Sequence, residues 1–123
     1  MKTHLKTKLA LASILLSFNV FAAGDLYLDH ANTDISDTAS LQNGAKLFMN
    51  YCSGCHAISF MRYNRIAEDL NLSDSLVAEH LMFAGEKPGE TITTAMPKES
   101  AAQWFGVTPP DLSLVARAKG TDW

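Results

Sequence analysis

The stretch Cys52-Ser53-Gly54-Cys55-His56 decides how the rest of this chain must fold. Two cysteines separated by two residues and followed at once by a histidine form the attachment motif of c-type haem. The two thiols add to the two vinyl groups of the porphyrin, and a helical turn between them sets the distance between the sulfurs. The histidine lies under the ring, where its imidazole can bind iron as the proximal ligand. The motif therefore predicts one covalently bound haem c, held by Cys52 and Cys55, with His56 as the metal ligand.

Three other uses of the cysteine pair are open at this point. A thioredoxin-like redox pair belongs in a βαβ setting, which the sequence pattern does not show. A zinc site needs a second pair of ligands, and His30 and His80 do not form one. A structural disulfide can form after export, but it would close too short a loop to stabilise the fold much. Haem also explains the helix that leads into the motif and the small residues Ser53 and Gly54.

A sixth iron ligand in an electron-transfer haem protein is commonly a methionine. The candidates after the first 22 residues are Met49, Met61, Met82 and Met96. Met96 precedes a proline in a predicted loop, so spacing alone favours it. Met82 falls on a predicted helix, where methionine usually packs against neighbours.

The first 22 residues have the pattern of a cleaved signal peptide. Three lysines precede an apolar run over residues 9–20, and the small residues that follow predict cleavage before Ala23. The alternative is a transmembrane helix, but a span needs about 20 apolar residues, and this run is only 12 residues long and includes Ser13, Ser17 and Asn19. The remaining residues 23–123 are then one small cytochrome c domain.

The charge of residues 23–123 bears on the class of partner. Without the three lysines of the signal peptide, 7 Lys and Arg stand against 13 Asp and Glu, a formal charge of −6. Nucleic-acid binding calls for a basic face, so we expect no nucleic-acid partner. An acidic domain suits a basic protein partner, because opposite charges speed their encounter.

The hydrophobic pattern predicts a mainly α fold wrapped around one haem, with no long alternating run. The predicted elements are an irregular lead-in over residues 24–40, a helix N-capped by Ser40, a short helix over 64–70, a helix N-capped by Ser73 and ended by Gly85, a loop over 86–100, and a helix over 111–118 ended by Gly120. Leu72 and Val77 hold the positions of a hydrophobic staple. Gly44 lies inside the first helix, where glycine lowers stability by about 1 kcal/mol relative to alanine. We expect another helix to approach it closely, and the alternative is a poorly optimised helical turn.

From Gly44 onward, the chain closely resembles the cytochrome c1 family of quinol:cytochrome c oxidoreductase (bc1) complexes, in its proteobacterial form. The resemblance is carried by residues 44–56 (GAKLFMNYCSGCH), 61–65 (MRYNR), 81–83 (LMF), 93–97 (TTAMP), 104–106 (WFG) and 108–114 (TPPDLSL). Motifs spread over this length are far more specific than the haem motif alone.

The resemblance implies an electron-transfer subunit that is not catalytic alone. Such a subunit accepts electrons from the Rieske iron–sulfur protein and passes them to soluble cytochrome c, in a complex with cytochrome b at the periplasmic face of the bacterial inner membrane. Cys52 and Cys55 match the family's thioether positions, and His56 matches its proximal ligand. A basic side chain near a haem propionate is also implied, and the pair here is Arg117 and Lys119. Lysine in place of arginine loses a bidentate fork, so the alternative for both is a solvated charge at a helix end.

Family members run on beyond Trp123, and the resemblance places the axial methionine and a C-terminal membrane anchor in that later part. We therefore expect an amino-terminal portion of the family's fold, incomplete at the C-terminus, in which Met96 is not the family's sixth ligand. One alternative is a freestanding periplasmic cytochrome with Met96 on iron. Another is a small haem peroxidase or gas-binding protein with an open sixth site.

Overall fold

The computed structural model describes residues 27–123, so the predicted signal peptide and its cleavage point lie outside the described residues. The elements in chain order are α1 (Thr38–Leu47), a π-helical segment (Phe48–Cys52), β1 (Ile58–Arg62), α2 (Tyr63–Asp69), α3 (Asp74–His80), β2 (Thr91–Ile92), α4 (Lys98–Phe105) and α5 (Val115–Lys119). The described part is dominated by helices and has little strand, which confirms the mainly α prediction. No helix in residues 27–123 has both the length and the apolar character to cross a bilayer.

The first helix begins earlier than predicted. Asp37, and not Ser40, is the N-cap of α1, because its carboxylate accepts the amide of Ser40 at 3.0 Å. Aspartate and serine cap about equally well, so the sequence offered both starts. Gly44 is exposed, and a Cβ added there would meet nothing within 4 Å. The predicted close approach of another helix is therefore not found within residues 27–123.

The core forms where β1, α2 and α3 meet the π-helical segment. Its buried members are Met49, Tyr63, Ile66, Ala67, Val77, Leu81 and Ile92. The predicted short helix is confirmed as α2, displaced by one residue. Ser73 is the N-cap of α3 as predicted, since its hydroxyl accepts the amide of Leu76 at 3.2 Å. Leu72 packs against the same core as Val77, in keeping with the predicted staple.

The predicted end of α3 at Gly85 is wrong. The helix ends at His80, and Leu81 turns into the core, where it is 4% exposed. Gly85 instead lies against the ring of Tyr63, and a Cβ there would be 2.6 Å from Tyr63 Cε2. Glycine at this position therefore makes room for a buried aromatic ring rather than ending a helix.

The predicted loop over residues 86–100 contains β2 and the start of α4. β2 pairs antiparallel with β1 in a two-stranded sheet whose register joins Ile58 to Ile92 and Arg62 to Thr91, with an irregularity between them. A strand of two residues is too short to show alternation. Pro97, which favours a loop, is the N-cap of α4, and Gly106 ends that helix with a left-handed φ of 76°.

The last helix is shorter than predicted. Residues 111–114 form a turn, in which the Asp111 carboxylate accepts the Ser113 amide at 2.7 Å, and α5 begins only at Val115. Asp competes for nearby backbone amides in this way, which favours turns over helix interiors. Gly120 ends α5, as predicted.

Candidate haem site

The π-helical segment sets the orientation of the first cysteine. The Ser53 amide donates to the carbonyl of Phe48 at 2.9 Å, five residues back instead of four. This wider turn leaves the carbonyl of Met49 without its usual amide donor, and the buried hydroxyl of Ser53 donates to it at 2.7 Å. π-Bulges inside helices often occur at functional sites. Sequence reasoning treated Ser53 only as a small residue and missed this hydrogen bond.

One helical turn carries the remainder of the motif. The carbonyl of Cys52 accepts the amide of Cys55 at 3.0 Å and that of His56 at 2.8 Å. Both thiols are free and half-buried. The structure thus brings together the three residues that the motif predicts, with the helical turn between the cysteines that was expected.

The imidazole of His56 is held by a residue far away in sequence. Its Nδ1 lies 2.8 Å from the carbonyl oxygen of Pro110. A carbonyl can only accept, so Nδ1 carries the proton and donates. In the neutral ring, Nε2 then presents its lone pair. A hydrogen bond from the second nitrogen is the usual support of a metal-ligating histidine, since it fixes the tautomer and the ring orientation.

These side chains fit a covalently bound haem c. Two free thiols on one turn would supply the thioether groups, and the tautomer imposed on His56 would leave Nε2 available for iron. The donor set is therefore the one that the motif predicts, supported by a hydrogen bond that the motif alone does not show.

The segment that contains Pro110 is tied along β1 and the residue before it. Leu112 donates its amide to the carbonyl of Ala57 at 2.8 Å. The Asp111 carboxylate accepts the Ser59 amide at 2.9 Å, and the Ser113 hydroxyl oxygen accepts the Phe60 amide at 3.1 Å. Hydrogen bonds from Ser113 and Ser59 hold the pKa of Asp111 well below its ordinary value, against a smaller opposing effect of desolvation. An aspartate two residues before a serine is a turn signal, but no local pattern pairs it with β1.

Met96 lies near the motif. The Thr94 hydroxyl donates to the carbonyl of Gly54 at 2.8 Å and accepts the Met96 amide at 3.2 Å. A cavity of about 390 Å³ has Met96 in its wall; the other lining residues are Cys55, Ala57, Ser59, Thr94, Lys98, Ala101, Thr108, Pro109, Pro110 and Asp111. The other candidates belong to the core: Met49 is one of its buried residues, and Met61 and Met82 are half-buried and pack against the core.

The two basic residues of α5 are both exposed. The Nζ of Lys119 lies 5.8 Å from the centroid of the Trp123 ring, within the range of a cation–π contact. Within residues 27–123, neither side chain makes a hydrogen bond or ion pair with a residue of the haem motif. The propionate role of Arg117 or Lys119 therefore stays a prediction.

Comparison with known proteins gives the family. Residues 29–123 match the Cytochrome C1 family. This chain belongs to the cytochrome c1 family. It is 49% identical to cytochrome c1 of Allochromatium vinosum over 119 residues, which cover 94% of this chain and 49% of that protein. It is 45% identical to a Nitrosomonas europaea protein named ammonia monooxygenase gamma subunit, with the same two coverages. A cytochrome b/c1 of Bradyrhizobium diazoefficiens is 29% identical over 68% of this chain and 15% of its own length.

Membership of this family identifies the cofactor as haem c. Cytochrome c1 proteins bind a covalent haem c and transfer electrons within a respiratory complex, the bc1 complex. The chain spans about half the length of the two curated relatives that match it at 45% identity or more.

Proposed function

We propose that this chain is the haem-bearing part of a cytochrome c1 in which Cys52 and Cys55 form the two thioether bonds and His56 binds iron through Nε2. The observation that carries the proposal is the 2.8 Å hydrogen bond from His56 Nδ1 to the Pro110 carbonyl, next to two free thiols on the same helical turn. When bound, the haem supplies a one-electron redox centre. The chain's own residues hold and orient it, and no proton donor or nucleophile is needed for that task.

The proposed partners follow from the family and from the charge. Electrons would arrive from the Rieske iron–sulfur protein and leave to a soluble cytochrome c, in a complex with cytochrome b. The Bradyrhizobium relative, whose name joins b and c1, supports the cytochrome b partner. The formal charge of −6 for residues 23–123 favours encounter with a basic carrier. The predicted signal peptide supports export, and the family resemblance supports a place at the periplasmic face of the inner membrane. Membrane attachment through the family's C-terminal anchor belongs to the same proposal.

The sixth iron ligand stays a prediction. The resemblance implies an axial methionine from a later segment of the family's fold. The alternative is a freestanding cytochrome with Met96 on iron, and Met96 lies in the wall of the cavity that Cys55 also lines.

Electron transfer from the matured chain tests the proposed function. The chain is produced with its signal in a bacterium that matures c-type cytochromes, purified, reduced, and mixed with an oxidised basic cytochrome c in a stopped-flow spectrometer. We expect second-order oxidation of the chain that slows as salt is raised, because salt screens charge attraction. The matched pair of variants is His56→Ala, which should lose the reaction, and His80→Ala, an exposed histidine on α3 that should retain it. Equal rates in the two variants would contradict the assignment of His56.

A further inference from the structure

The carbonyl that holds His56 belongs to a segment with few means of anchoring itself. Pro109 and Pro110 have no amide hydrogen, so neither can donate a backbone hydrogen bond to the rest of the protein. Thr108 before them donates its hydroxyl to the Lys98 carbonyl at 3.3 Å, a long contact. The position of the Pro110 carbonyl must therefore be fixed largely by the residues that follow it.

Asp111 is the residue best placed to fix that carbonyl. The Pro110 carbonyl and the Asp111 amide belong to one planar peptide unit, so restraining Asp111 restrains the orientation of the carbonyl. The two carboxylate oxygens accept two different amides: Oδ2 accepts from Ser59 in β1 at 2.9 Å, and Oδ1 accepts from Ser113 at 2.7 Å. One contact locks the turn, and the other attaches it to the strand that follows the haem motif.

We infer that Asp111 is a positioning residue for the axial histidine, acting through the Pro110 carbonyl on Nδ1 of His56. This inference rests on the proposed function, because it gives His56 the role of iron ligand. Asp111 does not need to touch haem, iron or His56. Its carboxylate joins β1 to the 111–114 turn, and the peptide unit it shares with Pro110 transmits that restraint to the imidazole.

The chemistry of the carboxylate suits this role. An ionised carboxylate accepts hydrogen bonds on both oxygens, whereas a protonated carboxyl carries an O–H group on one of them. The two serine contacts that lower the pKa of Asp111 keep it ionised throughout the neutral range, although the residue is exposed. An amide at this position could accept one of the two hydrogen bonds and would present N–H groups to the second amide donor. Asp111→Asn therefore removes one tie and the charge while preserving the size of the side chain.

A well-oriented carbonyl at Nδ1 makes the imidazole a stronger donor to a metal, because the hydrogen bond raises the basicity of the ligand. Stronger donation favours the oxidised form of the bound metal over the reduced form. Loosening the Pro110 carbonyl should therefore shift the midpoint potential upward. It should also weaken the iron–histidine bond, which a simple change of nearby charge would alter far less.

The test uses the matured chain and three variants. Asp111→Asn and Asp111→Ala remove one or both ties, and Asp122→Asn removes the same charge from a carboxylate that contacts Ala31 and His30 instead. The readouts are covalent haem content after denaturation, midpoint potential, and the iron–histidine stretching frequency, read by resonance Raman in ferrous protein just after photolysis of bound CO. We expect Asp111→Asn to keep its haem, with a raised potential and a lowered stretching frequency, and Asp122→Asn to match the parent chain.

The possible failures are distinguishable. Absence of covalent haem from the parent chain would refute the proposed function itself. Haem retained in Asp111→Asn with an unchanged stretching frequency would overturn the positioning role, whether or not the potential moved, since a potential shift alone reports the lost charge. If Asp111→Ala fails to mature, Asp111→Asn still decides the question. A variant of Asp122 with the same lowered frequency would also overturn the inference.

Discussion

Ser53 lies between the two cysteines, and its side chain is part of the backbone structure of the motif. Its amide donates to the carbonyl of Phe48 and its hydroxyl donates to that of Met49, so both carbonyls keep a donor where the hydrogen bonding changes from α-helical to π-helical. A buried carbonyl that loses its partner lowers stability by about 1–3 kcal/mol. The proposed role of Ser53 is therefore twofold: its small size would let the porphyrin approach, and its hydroxyl stabilises the turn that contains Cys52.

Ser53→Ala should therefore destabilise the matured chain by about 1–3 kcal/mol, because the Met49 carbonyl stays buried without a donor. The free energy of unfolding, obtained by guanidinium titration, measures the effect. Ser40→Ala, at an exposed position in α1, is the control and should change stability by about 0.5 kcal/mol or less. Similar values for the two variants would show that the Ser53 hydroxyl has no special role.

The haem site shows which residues a local pattern can predict. Cys52, Cys55 and His56 are adjacent in sequence, and the spacing of their side chains follows from one helical turn. Pro110 contacts His56 across 54 positions of sequence, and a proline carbonyl has no pattern that pairs it with a histidine. The same is true of the amides of β1 that bond to Asp111 and Ser113. Residues that supply backbone groups from a distant segment could not be found without the fold.

At the scale of elements, the sequence predicted the existence of helices better than their ends. The predicted cap of α3 at Ser73 was correct, and its hydroxyl accepts the amide of Leu76. Two acceptors compete at α1, and Asp37 provides the cap. The end of α3 depends on burial of Leu81, which is a property of the tertiary structure. β2 forms by pairing with β1, which is a tertiary contact. The start of α4 was predicted as loop because the prolines and glycines before it are typical of loops.

The start of α1 can be tested with a pair of capping variants. Asp37→Ala should lower the free energy of unfolding by about 1 kcal/mol, since it removes the acceptor for the first free amides of the helix. Ser40→Ala should have little effect, because the structure uses the amide of Ser40 and not its hydroxyl. Chemical denaturation of both variants measures the difference. A larger loss of unfolding free energy in Ser40→Ala than in Asp37→Ala would show that Ser40 is the N-cap of α1 after all.

The two glycines of the 85–89 segment differ in their surroundings. A methyl group at Gly85 would press on the buried ring of Tyr63, whereas one at Gly89 would meet nothing within 4 Å. Gly85→Ala should therefore destabilise the chain by about 1–3 kcal/mol through overpacking. Gly89→Ala should be neutral or slightly stabilising, because alanine restricts the unfolded chain. Thermal unfolding of the two variants compares them, and equal midpoints would show that Gly85 is not constrained by Tyr63.

At the scale of the whole molecule, the ends of the described chain meet. Asp122 accepts the Ala31 amide at 3.0 Å and lies 2.9 Å from Nδ1 of His30, so the lead-in is fastened beside α5. Across the molecule, α1 has no fully buried residue, and its apolar side borders an open groove of about 450 Å³ with Met49, Ile66 and Leu70 in its wall. Sequence periodicity alone does not predict how little of that side is covered.

Acid should release the lead-in. The hydrogen bonds from Ala31 and then His30 lower the pKa of Asp122 below its ordinary value of 3.8. A carboxyl whose pKa is lower in the folded chain stabilises the fold above its unfolded pKa, and that contribution is lost as the pH falls through the folded value. Protection of the Ala31 amide in hydrogen exchange, corrected for intrinsic rates, should fall at acid pH. Asp122→Asn should lower it already at neutral pH, while Glu99→Gln on α4 should not. Protection that is independent of pH in the parent chain would exclude this fastening role.

The central claim is that Cys52 and Cys55 bind one haem covalently, and intact-mass spectrometry of the matured chain under denaturing conditions tests it most directly. The account predicts the mass of the chain plus one haem, with the added mass located by digestion on the peptide that contains residues 52–56. It also predicts that Cys52→Ser/Cys55→Ser shows the unmodified mass. A parent chain without the added mass, grown where c-type haem is attached to other proteins, would contradict the account.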